Sequence, residues 1–159
     1  MKELLDDFQQ TIESASVKLL RIPEDLSAIP REKGKWSPKQ IIGHLIDSAA
    51  NNHRRFVTAQ FSDDLVFPGY YQEGWVSVQR YNEEPWLQLV QLWKTYNLHL
   101  LHFISFMPEA ALTKLRTKHS LNQIAWRIVD ENESVTLAYL IQDYVAHLKN
   151  HLRQILPAL

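Results

Sequence analysis

The sequence predicts an all-α fold, a four-helix bundle that the whole 159-residue chain (residues 1–159) forms as a single domain. Four segments repeat apolar residues at the three-to-four-residue spacing of an amphipathic helix. Two long connections, residues 21–36 and 61–81, separate the first three of these segments. Helices joined in this way favour a bundle whose topology is not a simple up-down-up-down arrangement.

The first two helices are predicted over residues 2–21 and 37–60. The second has a clear start signal, because Ser37 is a natural N-cap, Pro38 stands at the first helical position and Gln40 completes a capping box. The first apolar face comprises Leu4, Leu5, Phe8, Ile12, Ala15 and Leu19. The second comprises Ile41, Ile42, Leu45, Ala49, Asn52 and Phe56.

The last two helices are predicted over residues 83–106 and 135–156. Asn82 is expected to cap the third helix, and Pro108 follows its end. Its inward residues should be Leu89, Leu92, Trp93, Tyr96, Leu100 and Phe103. The fourth helix has the stripe Leu137, Leu140, Ile141, Tyr144, Leu148, Leu152 and Ile155. Residues 109–133 stay unassigned, because LNQIAWRIV fits a short helix or a strand.

The composition excludes several classes of function. The net charge is −1, with no long run of one sign, so nucleic acid and anionic membrane surfaces are not expected as partners. The chain has no cysteine, which excludes disulfides, thiolate catalysis and cysteine-bound zinc. No segment has the length and apolar character of a membrane span or a signal peptide, so a cytoplasmic location is expected.

Two histidines of the fourth helix share one face. His147 and His151 are one turn apart, about 60° and about 20° from Tyr144, the centre of the apolar stripe. Buried imidazoles need a partner, and a shared divalent cation or hydrogen bonds within the core would each supply one. The best candidate for a third ligand is His44, which shares a polar line with Ser48, Asn51 and Arg55 beside the apolar face of the second helix.

Two segments resemble the DinB/YfiT-like superfamily. KWSPKQIIGHLIDSA is similar to the start of that superfamily's second helix, with its Trp-Ser pair and following His, and LIQDYVAHLKNHLRQI is similar to its last helix. Matched residue by residue, His44, His147 and His151 correspond to the three metal ligands. Family members often carry another histidine just before the last ligand, and Asn150 stands there instead.

The resemblance implies an up-down-down-up bundle with a long crossover between helices two and three. It also implies a divalent metal, zinc or nickel, and a homodimer, which the aromatic crossover also favours. Some members of the superfamily transfer low-molecular-weight thiols or act as hydrolases. Three protein ligands leave coordination positions open, which is typical of catalytic rather than structural zinc.

Asp143 is the candidate catalytic residue, one turn before His147 and about 100° from the centre of the stripe. It could orient His147, act as a general base, or be an ordinary solvated acid. Asp47 points further from the core than His44. Arg55 could bind an anionic group, although a surface ion pair is the simpler interpretation.

The remaining histidines and aromatics have less specific interpretations. His53 lies across the helix from His44 and cannot share its site, and His99 could hydrogen-bond near the metal. His102 is less well placed, and His119 is expected at the surface. Trp36 is expected to pack as a hydrophobic staple before Ser37. A final group, Tyr70, Tyr71 and Trp75, could line a pocket mouth, pack across the bundle or form a dimer interface.

The leading functional hypothesis is a metal-dependent enzyme that hydrolyses a small substrate or transfers a low-molecular-weight thiol. The alternative is a non-catalytic bundle that binds a metal or a small ligand, with a stress-related role. A third interpretation is an interaction protein whose histidines fill the core. The sequence names neither the small-molecule substrate nor the native metal, since imidazole suits several divalent ions.

Overall fold

The computed structural model describes residues 1–157 and contains four long helices. These are α1 (Lys2–Leu19), α2 (Pro38–Thr58), α3 (Trp86–Ser105) and α4 (Leu137–Ile155). The connections contain the short helices Glu24–Ser27, Gln72–Gln79, Glu109–Thr113 and Leu121–Ile124 and the 3-10 turn Tyr81–Glu83. In residues 1–157 the β-structure is limited to two isolated bridges, Leu65 to His119 and Arg116 to Val135. The predicted all-α class is confirmed.

The helices run in the predicted up-down-down-up directions. The indole Nε1–H of Trp86, at the start of α3, donates to the Leu19 carbonyl at the end of α1, 3.0 Å away, so α1 and α3 are antiparallel. Ser37, just before α2, donates its hydroxyl to Asn82, just before α3, at 2.6 Å, so α2 and α3 are parallel. Helix α4 packs against both α1 and α2 and runs parallel to α1. The long crossover therefore joins two parallel neighbours.

The core is built from the predicted apolar stripes. All seven predicted residues of α4 and all six of α2 are buried. In α1 the residues from Phe8 to Leu19 on the predicted face are buried, while Leu4 and Leu5 pack at the edge of the core. The N-terminus of α2 has the predicted capping box: the Gln40 amide donates to the Ser37 hydroxyl at 3.2 Å, and the Ser37 amide donates to Gln40 Oε1 at 3.0 Å.

The prediction was wrong at the start and along the face of α3. The helix begins at Trp86, because Glu84 precedes Pro85 and adopts the extended conformation (φ −81°, ψ 143°) that a following proline favours. Asn82 is therefore not the N-cap and accepts the Ser37 hydrogen bond instead. Leu92, expected inside, is 47% exposed, and the buried face includes Asn97.

The crossover is fixed to α2 by a close contact at Gly43. A Cβ atom built on Gly43 would lie 2.1 Å from Cδ2 of Tyr81, so the ring occupies the space that any larger residue would need. The Tyr81 hydroxyl donates to Asp47 Oδ1 at 2.7 Å, and the Gln79 side-chain amide donates to the same oxygen at 2.7 Å. Asp47 was predicted to point further from the core than His44, and it is nevertheless buried, with 3% exposure.

Residues 109–133 form two short helices joined by irregular chain. LNQIAWRIV begins as the short helix Leu121–Ile124 and continues without regular structure. Helix α4 begins two residues later than predicted, because Thr136 is its N-cap and accepts from the Tyr139 amide at 3.1 Å. Among residues 1–157, no helix has the length and apolar character needed to cross a membrane.

Candidate metal centre

The three predicted histidines converge between α2 and α4. The ring centroid of His44 lies 5.1 Å from that of His147 and 4.7 Å from that of His151. The centroids of His147 and His151 are 4.5 Å apart. One nitrogen from each ring belongs to a set whose members all lie within 4.8 Å of one another. In the described part of the chain, no other three His, Cys, Asp or Glu side chains bring their ligand atoms this close together.

The helices position each ring by simple geometry. His147 and His151 are one turn apart near the C-terminal end of α4, so their side chains share a face. His44 projects from the first third of α2, which packs beside that end of α4. Trp36, immediately before the Ser37 cap, covers the cluster, with its ring centroid 5.1 Å from His44 and 6.4 Å from His151.

The cluster favours neutral imidazoles. His44 is fully buried, and burial, with a smaller contribution from His151, lowers its pKa to about 3. Burial also lowers the pKa of His147 to about 3, with charge repulsion from the two other rings adding to the effect. The pKa of His151 is lowered by burial, and a hydrogen bond with Gln154 partly offsets the shift. Neutral imidazole is the form that binds metal ions.

The donor set fits a divalent cation. Nε2 of His44 and Nε2 of His147 are 3.2 Å apart, within hydrogen-bond distance of each other. Two zinc–nitrogen bonds at a tetrahedral angle would place the two nitrogens about 3.3 Å apart. In the described part of the chain, Nδ1 of His44 and Nδ1 of His151 are buried without a hydrogen-bond partner. Nδ1 of His151 is thus available to a cation, and an unpaired buried group otherwise costs about 1–3 kcal/mol.

The metal-free protein is expected to lose stability as the pH falls from about 6.5 toward 3. The unfolded chain binds protons at an ordinary histidine pKa near 6.5, whereas folded His44 resists protonation down to about 3. Between these values the unfolded state binds more protons, so the free energy of unfolding decreases by about 1.4 kcal/mol per pH unit for a histidine of this kind. Denaturant titrations between pH 7 and pH 4, with chelator present, measure how the free energy of unfolding changes with pH. A flat profile would contradict the burial of neutral rings.

The cluster borders a cavity of about 190 Å³. His147 and His151 form one part of its wall, and residues of α2, the crossover and the Leu121–Ile124 region form the rest. Pockets for drug-sized ligands are usually about 300–1,000 Å³, so this one suits a smaller molecule. A larger cavity of about 700 Å³ lies at the opposite end of the bundle, beside the N-terminus of α1 and the end of α3, away from the histidine cluster.

Asp143 lies in the wall of the same cavity and is buried. Its two carboxylate oxygens accept the backbone N–H groups of Trp126 and Arg127, each at 2.8 Å. Burial raises its pKa, and these two hydrogen bonds oppose the shift. The carboxylate thus holds the loop after Leu121–Ile124 against α4, a contact that the sequence did not indicate.

The structure also places residues at the cavity whose roles the sequence left open. Arg55 is 6% exposed and forms no ion pair with any described carboxylate, so the surface ion pair expected for it is wrong. Tyr70 lines the cavity and packs against Trp75, with centroids 5.1 Å apart, while Tyr71 is 71% exposed. Trp36 contacts two of the three site histidines, which its position before the cap did not reveal.

The other histidines lie outside the cluster. His53 packs against His99 and Tyr96 of α3, with centroids 5.1 Å and 5.8 Å away, so His99 does not approach the three-histidine group. His102 packs beside Phe106, with the two rings tilted by 57°. His119 has a structural role, because its Nδ1 accepts from the Leu121 amide and its Nε2–H therefore donates to the Glu133 carbonyl.

Comparison with known proteins agrees with this geometry. A segment of 81 residues, 48% of this chain, is 28% identical to a Bacillus mycoides (strain KBAB4) protein named "Putative metal-dependent hydrolase" and covers 47% of it. A Bacillus cereus (strain B4264) protein of the same name is 27% identical over 81 residues, again 48% of this chain and 47% of the relative. The chain thus spans about half the length of the curated relatives it matches.

A solved structure has the same fold. The structure of YfiT from Bacillus subtilis superposes with a TM-score of 0.75, covering 99% of this chain and 86% of the other, at 19% sequence identity. YfiT is described as "a probable metal-dependent hydrolase with an unusual four-helix bundle topology". At this identity the likeness establishes the bundle topology alone.

The chain is a four-helix bundle with three convergent histidines, a donor set that could hold a metal ion, beside a cavity. The family model of the DinB superfamily matches residues 2–155, which is nearly the whole chain. The protein belongs to the DinB superfamily.

Proposed function

We propose that the protein is a metal-dependent enzyme that binds one divalent cation, zinc or nickel, through His44, His147 and His151. The observation that carries the proposal is the convergence of three largely buried histidines, two of which, His147 and His151, line a small cavity. Three protein ligands leave a coordination position for a substrate, and a closed structural zinc site would have four. When bound, the cation would supply Lewis-acid activation of an oxygen or sulfur atom of the substrate.

The reaction that we propose is hydrolysis of a small substrate or transfer of a low-molecular-weight thiol. Both need an activated electrophile or nucleophile next to a confined cavity, and a volume of about 190 Å³ suits a small substrate. The names of the Bacillus relatives support the hydrolytic option. Thiol transfer rests on the resemblance of the histidine motifs, and the cavity geometry does not separate the two reactions.

We propose Asp143 as the proton-accepting group of this reaction. It faces the cavity, and burial raises its pKa, which makes the carboxylate a better proton acceptor. Each carboxylate oxygen has a second lone pair besides the one that accepts a backbone N–H. Replacing Asp143 with Asn should lower turnover at least about 100-fold, the usual size of a general-base contribution. An unchanged rate in Asp143→Asn would remove Asp143 from the mechanism.

The test of the proposed function is turnover by metal-loaded protein. Zinc- and nickel-loaded samples are screened for hydrolysis of small esters, amides and lactones and for conjugation of small thiols to electrophiles. We expect turnover that is lost in His44→Ala and kept in His102→Ala, which changes an exposed histidine of α3. Tight metal binding without any turnover would favour the alternative, a non-catalytic metal- or ligand-binding bundle.

We also propose that the protein is a homodimer. The crossover carries exposed large hydrophobic side chains, Val66, Tyr71, Trp75 and Val78, which a second copy would cover. Light scattering at tens of micromolar should give about twice the 18.7 kDa chain mass. A sharp monomer mass at that concentration would contradict the proposal.

A further inference from the structure

Arg55 is a buried cation without a carboxylate partner. The guanidinium has five N–H groups, and among the described residues it donates to Asn52 Oδ1 at 3.4 Å and to the Pro68 carbonyl at 3.1 Å. The residue is 6% exposed, and burial lowers its pKa. Burying a charge without an opposite charge costs free energy, so a buried arginine of this kind is expected to have an anionic partner.

The arginine borders the cavity that the site histidines border. Arg55 lies eleven residues after His44 on α2, and its side chain lines the same cavity of about 190 Å³ as His147 and His151. Asp47, the other buried charged residue on this helix after His44, is two turns away and accepts its hydrogen bonds from Gln79 and Tyr81. Arg55 lines the cavity and its hydrogen bonds to described residues use two of the five guanidinium N–H groups, so the others are available to a ligand bound there.

The charges at the cavity also favour an anion. Its wall contains the polar side chains of Ser48, Asn52, Tyr70, Gln72 and Gln123, and the Asn52 amide already donates to the Ser48 carbonyl and hydroxyl. Asp143, the carboxylate in this wall, already accepts two backbone N–H groups. With a divalent cation held by three neutral imidazoles, the charges of Arg55, Asp143 and the cation sum to a positive value, which attracts a negatively charged molecule.

We infer that the substrate is a small carboxylate, whose carboxylate group Arg55 binds while its reacting group lies at the three histidines. The planar guanidinium matches a carboxylate through two parallel hydrogen bonds, and the small volume favours a short molecule. This inference rests on the proposed metal-dependent function, since it places the reacting group beside the cation. Beyond the proposed function, it names the chemical class of the substrate and the residue, Arg55, that recognises it.

The test uses the cobalt-loaded protein and ligands that differ by one carboxylate. Acetohydroxamate is the neutral probe, and the monohydroxamates of malonic, succinic and glutaric acid carry a carboxylate at increasing distance. Binding is followed by the visible absorption of the cobalt, so the readout does not depend on turnover. We expect one acid to bind at least about tenfold more tightly than acetohydroxamate, as a hydrogen bond to a charged group allows.

Variants of Arg55 test whether this residue causes the tighter binding of the acid. In Arg55→Met the advantage of the acid should disappear while acetohydroxamate binds as in the wild type, which also shows that the cavity is intact. Arg55→Lys should keep part of the gain, because a lysine retains the charge but not the planar pair of donors. Equal binding of all the probes to the wild type, or an undiminished gain in Arg55→Met, would overturn the inference.

A second arm separates this inference from the metal proposal. If the protein does not bind cobalt, the metal-dependent function fails, and the anion site is tested on metal-free protein with sodium acetate against acetamide. Acetate should raise the Tm of the wild type and not of Arg55→Met, with acetamide as the matched neutral control. No difference between acetate and acetamide would overturn the carboxylate site independently of the metal.

Discussion

Replacing His151 with alanine should lower the affinity of the protein for zinc by more than about 100-fold. Removing a group that only hydrogen-bonds to a metal ligand usually costs 10–100-fold in affinity, and removing a ligand itself should cost more. His151 is one of three rings whose centroids lie within 5.1 Å of one another, and two imidazoles alone form a weak site. Competition titration with a chromophoric chelator gives the affinity directly.

The matched control is His102→Ala, which removes an exposed imidazole from α3 and should leave the zinc affinity unchanged. His44→Ala and His147→Ala should each resemble His151→Ala. Wild-type zinc affinity in His151→Ala would contradict the three-histidine site. A loss of affinity only on replacing His53 or His99, which pack against each other away from the cluster, would also contradict it.

Replacing Gly43 with alanine should lower the stability of the protein by about 2 kcal/mol or more. The new Cβ would lie 2.1–2.4 Å from three atoms of the Tyr81 ring, and that ring is buried and hydrogen-bonded to Asp47. Forcing extra atoms into a packed core costs about 1–3 kcal/mol, and displacing the tyrosine also weakens the Asp47 hydrogen bond. The better helix propensity of alanine recovers only about 1 kcal/mol.

Thermal unfolding measures the effect, and the Tm of Gly43→Ala should fall by about 5 °C or more. Gly74→Ala is the matched control. Its Cβ would lie 2.4 Å from Tyr71, but that side chain is 71% exposed and can rotate away, so the Tm should stay level or rise slightly. Equal stability of the Gly43 and Gly74 variants would show that Tyr81 does not fix the crossover to α2.

Local sequence signals predicted much of the fold because they report local physics. The Ser37, Pro38 and Gln40 start signal and the seven-residue stripe of α4 depend only on backbone capping and helical periodicity, and both are found as predicted. The predicted start of α3 was wrong by three residues, because Pro85 constrains Glu84 to an extended conformation. Asn82 does not cap α3 and instead accepts a hydrogen bond from Ser37, which is distant in the sequence.

The convergence of the three histidines was predictable for a similar reason, and their surroundings were not. His147 and His151 share a helix face by spacing alone, and His44 was placed by its motif. The burial of Arg55, the backbone hydrogen bonds of Asp143 and the contact of Trp36 with the histidines each depend on which segment packs across the cavity. Such contacts between distant segments leave no periodic pattern in the sequence.

The proposed function requires that one divalent cation is bound by these three histidines. Crystals of the protein purified without a histidine tag and loaded with one equivalent of zinc, measured on both sides of the zinc absorption edge, test it most directly. We expect an anomalous peak about 2.0–2.1 Å from one ring nitrogen of each of His44, His147 and His151. A peak confined to His53 and His99, or the three rings hydrogen-bonded to one another with no peak between them, would contradict it.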